Sequence, residues 1–312
     1  MNPLRQLIVH DHASQVGRHD ERELFAEPAA DPGLIGPGSV SWEIHSDVSA
    51  VTIAGVGAIV MELLHPSVMA GVHQQSTYRD DPYRRARTTF GWVITTTFGS
   101  TRAAEQLIAR VKSMHAHVNG VRPDGVPYRA LDPELIGWVH TCIPWMVMTA
   151  YERFHRPLRP AERDRYLAEQ SVIGVMSGAE WVPTTVSELE AYVETMRPKL
   201  GVTEQTRTFF DFLIDGPLGV LRPFGPLAGP VKRFQVAAAM SLMPRWAQRL
   251  TGFDASPVAQ RFLHDPALHI YARSLRWAFG TPPYRRLADE RVGTATASAS
   301  SKPREWAAAG AI

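Results

Sequence analysis

The clearest pattern of hydrophobic and polar positions lies in residues 100–118, STRAAEQLIARVKSMHAHV. Apolar residues recur there every three or four positions, the period of a helix with one buried face. The predicted buried face consists of Ala104, Leu107, Ile108, Val111 and either Met114 or His115. Ser100 follows a glycine and can cap this helix. Because the apolar period continues onto position 115, we predict that the His115 imidazole points inward.

Helical patterns also dominate the rest of the chain from Val40 onwards. We predict a helix pair or one broken helix over residues 40–64, and a kink at Pro144 inside a long apolar helix. Turn-rich loops are expected at residues 119–133 and 215–230. Further helices are predicted at residues 66–76, 83–97, 134–154, 161–178, 184–200, 231–243, 244–251 and 266–278. Few segments alternate as β-strands do, so the predicted fold class is all-α, a multi-helix bundle.

Composition at the two ends of the chain indicates one domain with flexible termini. Residues 1–38 are charged and rich in Pro and Gly, which predicts a mobile N-terminal arm. Residues 291–312 are low in complexity and predict a disordered tail. Residues 39–290 are then expected to form a single helical domain.

Charge and cysteine content exclude several classes of partner and metal site. The 33 Lys and Arg residues nearly balance the 31 Asp and Glu residues, so no global field indicates a nucleic-acid or acidic-membrane partner, and no polyanionic partner is expected. Cys142 is the single cysteine, which excludes an intrachain disulfide and a cysteine-rich metal cluster. A metal would therefore depend on histidine or carboxylate ligands.

The sequence predicts neither a secretory signal nor a transmembrane helix. Its first residues lack an apolar core followed by a small-residue cleavage site, so a cytoplasmic location is expected. The longest apolar stretch, residues 50–64, includes Thr52 and Glu62 and is shorter than the roughly 20 residues of a membrane span. It is interpreted as a buried helix.

Three elements could hold or surround a metal cofactor. His115 is a candidate iron ligand, although an inward histidine is more often a hydrogen-bonded core residue. Arg84 and Thr88 lie one helical turn apart and could hold a haem propionate or orient bound oxygen, or could equally be exposed surface. His140, in the apolar stretch Trp-Val-His, could support a ligand, lie on the distal side or simply be a core histidine.

A di-iron carboxylate site is an alternative. Glu62-x-x-His65 and Glu152-x-x-His155 both match the Glu-x-x-His pairs of di-iron helical bundles. Each histidine lies close to a proline, at a predicted helix end, which disfavours this alternative. Phosphate-binding glycine loops, zinc-binding His-Glu-x-x-His helices and Gly-x-Ser-x-Gly elbows are absent from the sequence.

The order and spacing of several segments resemble the MpaB-like oxygenase family, which includes the latex-clearing rubber oxygenases. The resemblance covers about residues 36–253. It is carried by the segments AGVGAIVMELLHPSVMAGV, RRARTTFGWVITTTFGS, RVKSMHAHVNG, YRALDPELIGWVHTCI, YERFHRPLRPAERDRYLAEQ and LMPRWAQRLTGF.

This resemblance implies a globin-like helical bundle that encloses a b-type haem. It implies that His115, in the Val-x-x-x-His-x-x-Val-x-Gly segment, is the proximal iron ligand. Arg84 and Thr88 fall on the family's Arg-x-x-x-Thr element near the haem, as catalytic and haem-binding residues. His140 matches the recurrent Trp-Val-His segment and is a further haem-binding candidate. Rubber-cleaving members use an acid and a lysine beside the haem, whereas Arg87 precedes Thr88 in this chain.

The resemblance implies a haem b-dependent oxygenase that uses dioxygen on a hydrophobic small molecule, by oxygenation or oxidative C=C cleavage. The haem would supply the oxidative chemistry, while the protein supplies an axial ligand and a dry pocket. Two alternatives stay open, namely a haem-binding sensor or carrier without turnover and a di-iron oxidase.

Overall fold

The computed structural model describes residues 2–216 and 228–296. Regular structure within these ranges is almost entirely helical, which confirms the mostly α-helical fold class. The loop predicted for residues 215–230 falls largely on residues 217–227, outside the described residues.

The first half of the chain contains α1 (Pro3–Val16), α2 (Arg22–Phe25), α3 (Val40–Ser46), α4 (Val48–Leu63), α5 (Pro66–Gln75), α6 (Pro82–Phe98), α7 (Thr101–His115) and α8 (Pro133–Phe154). The second half contains α9 (Pro160–Ser177), α10 (Val186–Met196), α11 (Glu204–Asp215), α12 (Ala228–Met240), α13 (Arg245–Thr251), α14 (Pro257–Ala259), α15 (Asp265–Phe279) and α16 (Pro283–Thr296). A 3₁₀ turn, Arg197–Lys199, follows α10, and a π-helical turn, Gln260–His264, joins α14 to α15.

Helix α4 forms the centre of the molecule. Its residues are apolar and buried on nearly all sides, because α8 packs along it and α12 and α15 cover other parts of its surface. The indole N–H of Trp138 on α8 donates to the carbonyl of Met61 at 3.2 Å. Helix α8 continues through Pro144 as one helix.

The predicted helix pair over residues 40–64 is confirmed as α3 and α4, which meet at an angle of 87°. Asp47 lies at the break and caps α4, accepting from the backbone N–H of Ser49 at 2.9 Å. The same carboxylate pairs with His155 at 2.8 Å and with Arg276 at 3.2 Å. The bend is therefore fixed by contacts from α15 and from the residue that follows α8.

Within the described ranges no single helix is long and apolar enough to cross a membrane, whereas the bent α3–α4 pair meets that test by length and composition.

A short β-hairpin departs from the all-α prediction. Strands β1 (Asn119–Val121) and β2 (Pro127–Arg129) pair antiparallel, with Gly120 opposite Tyr128. Gly125 closes the turn with a φ of +85°, a conformation that favours glycine. The sequence analysis predicted a loop with turns here, because three-residue strands are too short to show alternation.

Helices lie within the described parts of the segments for which the sequence predicted a mobile arm and a tail. Helix α1 packs on α6 and α15, and the Nε of Arg5 donates to the carbonyl of Ala278 at 2.6 Å. Helix α16 extends six residues beyond the predicted boundary at 290. Arg291 is buried and donates to the carbonyls of Phe25 and Phe98 at 2.7 and 2.9 Å. The tail predicted over residues 297–312 lies outside the described residues.

Candidate functional site

His115 is the last residue of α7 and lies half-buried against the body of the protein. Ser100 caps the other end of this helix, accepting from the backbone N–H of Ala103 at 3.3 Å. Met114, the alternative inward residue, is 55% exposed, so the helix directs position 115 inward. Burial and the nearby positive charge of Arg85 lower the pKa of His115, which keeps the imidazole neutral at pH 7.

Arg85 on α6 is the cation that acts on His115. Its Nη1 donates to the hydroxyl of Ser76 at 3.4 Å, whereas its Nε is buried and has no hydrogen-bond partner among the described residues. Burial lowers the pKa of Arg85, while the opposite charge of Glu62 raises it. An incompletely satisfied guanidinium inside a protein is uncommon.

Glu62, near the end of α4, is the buried acid of this region. Burial raises its pKa to about 7, and the charge of Arg85 only partly opposes that rise. In residues 2–216 and 228–296 its carboxyl makes no hydrogen bond or ion pair, so it does not pair directly with Arg85. A carboxyl at this pKa is close to half-protonated at neutral pH.

Glu62, Arg85 and His115 thus come from α4, α6 and α7, and the charge of Arg85 acts on both Glu62 and His115 without direct pairing. Unpaired polar groups inside a protein are costly, at about 1–3 kcal/mol each, and perturbed pKa values cluster at functional sites. We therefore take these three side chains as the candidate functional site.

Arg84 and Thr88 lie at the exposed surface of α6. The backbone N–H of Arg84 is capped by Asp81 at 2.8 Å, and the hydroxyl of Thr88 donates to the carbonyl of Arg85 at 2.9 Å. The structure does not bring their side chains into the buried cluster of Glu62, Arg85 and His115. Their role next to a haem stays a prediction.

Arg85 was not predicted as a site residue, because α6 has no single buried face. Residues 90–98 of this helix are buried or half-buried on all sides. The spacing of apolar residues therefore did not indicate which side of the first half of α6 faces inward. One usable signal was present: Arg85 precedes half-buried Trp92 by seven residues, which places both on the same face of the helix.

His140 on α8 is buried, and its contacts are with α9. Burial lowers its pKa to about 4, while its hydrogen bond to the backbone carbonyl of Gln170 opposes that shift. The ring packs on Gly174 so closely that a Cβ there would lie 2.6 Å from His140 Cδ2. These contacts fit the core-histidine interpretation of position 140.

The two Glu-x-x-His pairs do not form a shared metal site. The Nδ1 of His65 accepts from a backbone N–H of α5 at 3.2 Å and so caps that helix rather than facing Glu62. Glu152 accepts from Arg163 at 2.8 Å, and His155 pairs elsewhere, with the carboxylate that caps α4. The described ranges contain no group of three or more His, Cys, Asp or Glu arranged to hold a metal ion.

The thiol of Cys142 on α8 is buried. Burial and the negative charge of Glu62 raise its pKa, so the thiol stays protonated at neutral pH. Of the histidines considered as iron ligands, His115 is the one that lacks a hydrogen-bond partner in the described part of the chain.

A helical bundle with an unpartnered inward histidine, an arginine whose Nε is buried and a buried glutamate defines a protein with an internal polar site. Residues 42–278 match the family described as ER-bound oxygenase mpaB/B'/Rubber oxygenase, catalytic domain. This match spans most of the chain, so the protein belongs to that family and carries an oxygenase-type catalytic domain.

The chain is also similar to proteins from mycobacteria. Over 137 residues it is 26% identical to an uncharacterized protein of Mycobacterium bovis and to one of Mycobacterium tuberculosis. The matched segment is 41% of this chain and 53% of each relative, so the chain spans about half the length of the curated relatives it matches. No solved structure matches the chain.

Proposed function

We propose that the protein is a haem b-dependent oxygenase that acts on a hydrophobic small molecule, with His115 as the axial iron ligand. The observation that carries the proposal is the set of polar groups without hydrogen-bond partners among the described residues, the Glu62 carboxyl, the Arg85 Nε and the His115 imidazole, inside a member of an oxygenase family.

The donor set fits a b-type haem. Such a haem needs one neutral imidazole, and the depressed pKa of His115 leaves its ring unprotonated and available. Thiolate ligation is disfavoured because the raised pKa keeps Cys142 protonated. The unpaired Nε of Arg85 supplies a buried donor for a carboxylate such as a haem propionate.

When bound, the haem would supply the activation of dioxygen, and the protein would supply orientation and proton control. Glu62, with a pKa of about 7, can hold or release a proton at its carboxyl at neutral pH. Arg84 and Thr88 are proposed, from the family resemblance, to act on the haem surroundings. The proposed reaction is oxygenation of the substrate or oxidative cleavage of a C=C bond.

The test is an absorption spectrum of the purified protein, ferric and then ferrous with carbon monoxide. We expect a Soret band and a carbonyl spectrum of the histidine type. A thiolate-type spectrum, or no Soret band after reconstitution with haem, would contradict the proposal.

Oxygen uptake with lipophilic alkenes then separates an oxygenase from a haem carrier. An oxygenase consumes dioxygen only when a suitable alkene is added, and its oxidised product appears in equal amount. Stable haem binding with no uptake across a broad panel would favour a sensor or carrier.

A further inference from the structure

The helical segment Pro257–Phe279, made of α14, the π-helical turn and α15, exposes large apolar side chains. We call this surface the α15 face and define it by Val258, Phe262, Leu263, Ile270 and Trp277. Their exposed fractions run from 49% for Trp277 to 71% for Ile270. Large apolar side chains exposed this close together mark an interaction surface.

Packing of α15 fixes the direction of this face. The opposite side of the helix is buried through Leu268, Ala272, Leu275 and Ala278. With 100° between successive residues, Ile270, Arg273 and Trp277 then point together away from the protein. Ile270 and Trp277 therefore cannot turn inward without undocking the helix.

The exposed charges on the same segment are positive. Arg261 and Arg273 are exposed, and neither forms an ion pair with an acid of the described ranges. The guanidinium of Arg261 lies 5.6 Å from the ring centroid of Phe262. The segment's acidic residue, Asp265, is already paired with Arg153.

We propose that the α15 face docks on the surface of an anionic lipid bilayer. Aromatic side chains such as Trp277 favour the interface between lipid and water, and arginines beside them reach lipid phosphates while their stems stay in the apolar layer. Each interfacial arginine near an anionic surface strengthens binding about fivefold.

A second copy of the chain fits this face less well. Most homodimers are two-fold symmetric, so the same patch of each copy would meet and bring the positive charges of Arg261 and Arg273 from both copies into one interface. Lipid phosphates neutralise these charges instead. The balanced net charge of the chain conceals this local positive patch, because a sum over all residues carries no information on position.

The test is co-sedimentation of the full chain with vesicles of phosphatidylcholine alone and of phosphatidylcholine mixed equally with phosphatidylglycerol. We expect binding to the mixed vesicles, weaker binding to phosphatidylcholine, and loss of the difference at high salt. Brominated lipid should quench tryptophan fluorescence in wild type and much less in Trp277→Phe.

Two variants, each with a matched control, test whether the α15 face is responsible for the binding. Ile270→Asp should weaken binding at least about tenfold, whereas Val175→Asp, an exposed position on α9, should not. Arg261→Ala with Arg273→Ala should weaken binding to mixed vesicles about 30-fold, whereas Arg102→Ala with Arg110→Ala on α7 should not. Circular dichroism checks that each variant stays helical.

Three results would overturn the proposal. The first is no binding to either type of vesicle. The second is binding that the α15-face variants and their controls weaken equally. The third is that the protein does not bind lipid but forms a concentration-dependent dimer, and that Ile270→Asp dissociates this dimer. That result would assign the face to a second copy of the chain. None of these measurements depends on haem or turnover.

Discussion

At the scale of single residues, Glu62 is a carboxyl whose protonation depends on the fold. Burial in α4 raises its pKa from 4.5 to about 7, and no described donor stabilises its charged form directly. In the unfolded chain the same carboxyl would ionise at its ordinary pKa. Folding therefore favours the protonated carboxyl, and its contribution to stability is present below pH 4.5 and lost as pH rises through 7.

Glu62→Gln should remove this pH dependence. A pKa rise of this size corresponds to about 3 kcal/mol, so the variant should gain about 2–3 kcal/mol relative to wild type between pH 5 and pH 8. Urea unfolding at both pH values, on protein prepared without haem, measures the change. Glu190→Gln, an exposed position on α10, is the control. A difference between Glu62→Gln and wild type that stays constant with pH would contradict the raised pKa.

His115→Ala should abolish stable haem binding, because an axial imidazole is the bond that ties a b-type haem to its protein. His117→Ala, two residues further on and exposed, should keep the wild-type haem content. His140→Ala should lower stability by leaving a cavity over α9 while retaining most of the haem. The haem-to-protein ratio of helical, folded variants measures this. Full haem in His115→Ala with loss in His140→Ala would move the ligand to α8.

Arg84→Ala and Thr88→Ala should retain haem and lose activity or show altered oxygen binding. Both side chains are exposed, so neither substitution should lower the free energy of unfolding by more than about 0.5 kcal/mol. Arg85→Ala is the informative comparison, since its buried guanidinium is the better candidate to bind a haem carboxylate. Turnover and oxygen binding equal to wild type in both exposed variants would identify them as ordinary helix surface.

Periodicity predicted the inward direction of His115 because α7 has one apolar face and a single strong period. The same reasoning failed for Arg85, since α6 is enclosed on all sides beyond Phe90. It also could not give the role of Glu62, because the partner that influences its charge lies 23 residues away on another helix. Site residues that depend on long-range neighbours are therefore the ones that the sequence does not reveal.

At the scale of elements, the packing of α8 on α9 depends on the absence of a side chain at Gly174. The His140 ring occupies the space that a Cβ would need, with its Cγ 3.0 Å from that position. Ring atoms this close to the backbone cannot swing aside as the end of a flexible side chain can. The glycine therefore determines how closely the two helices approach.

Gly174→Ala should destabilise the protein by about 1–2 kcal/mol, because overpacking exceeds the gain in helix propensity. Gly55→Ala on α4 is the matched control: a Cβ there meets nothing within 4 Å, so this variant should be stabilised by up to about 1 kcal/mol. Urea denaturation compares the two. Equal stability changes in both variants would show that the His140 ring adjusts without cost.

Helix positions were largely predictable, because caps and breaks are local signals. Ser100 caps α7 as the sequence suggested, and the predicted break between α3 and α4 occurs at Asp47. The β-hairpin was not predictable as strands, since its stability comes from packing of Tyr128 against α5 rather than from alternation. Local chemistry defines where elements end, while tertiary contacts decide whether a short strand forms.

At the scale of the whole molecule, helices from both chain ends pack onto the central bundle. Arg291 of α16 donates to the carbonyls of the last residues of α2 and α6, and α1 packs on α6 and α15. Composition suggested a mobile arm and tail because polar residues, Pro and Gly are frequent there. A contact such as that of Arg5 with Ala278, 273 positions apart, leaves no local pattern, so composition alone did not reveal that α1 and α16 pack on the bundle.

Buried neutral histidines are spread through this architecture. Burial lowers their pKa values from 6.5 to about 3 for His45 and about 4 for His12, His65 and His140. His45 shows the cause, since its ring is enclosed and hydrogen-bonded with the hydroxyls of Thr97 and Tyr166, both at 2.8 Å. Each of these histidines takes up a proton when the chain unfolds in mild acid.

The protein should therefore unfold cooperatively in mild acid. A histidine whose folded pKa is depressed contributes stability that is present above pH 6.5 and is lost as pH falls towards 4. On unfolding, the four histidines take up one proton each and Glu62 releases one, which leaves a net uptake of about three protons. The free energy of unfolding should therefore fall by about 4 kcal/mol per pH unit below pH 6. From pH 6 to pH 4.5, before most carboxylates titrate, such a slope removes about 6 kcal/mol, which is the whole stability of a protein at the lower end of the typical range of about 5–15 kcal/mol. Urea midpoints from pH 7.5 to 5 measure it, and midpoints that stay level over this range would show that the buried histidines titrate normally.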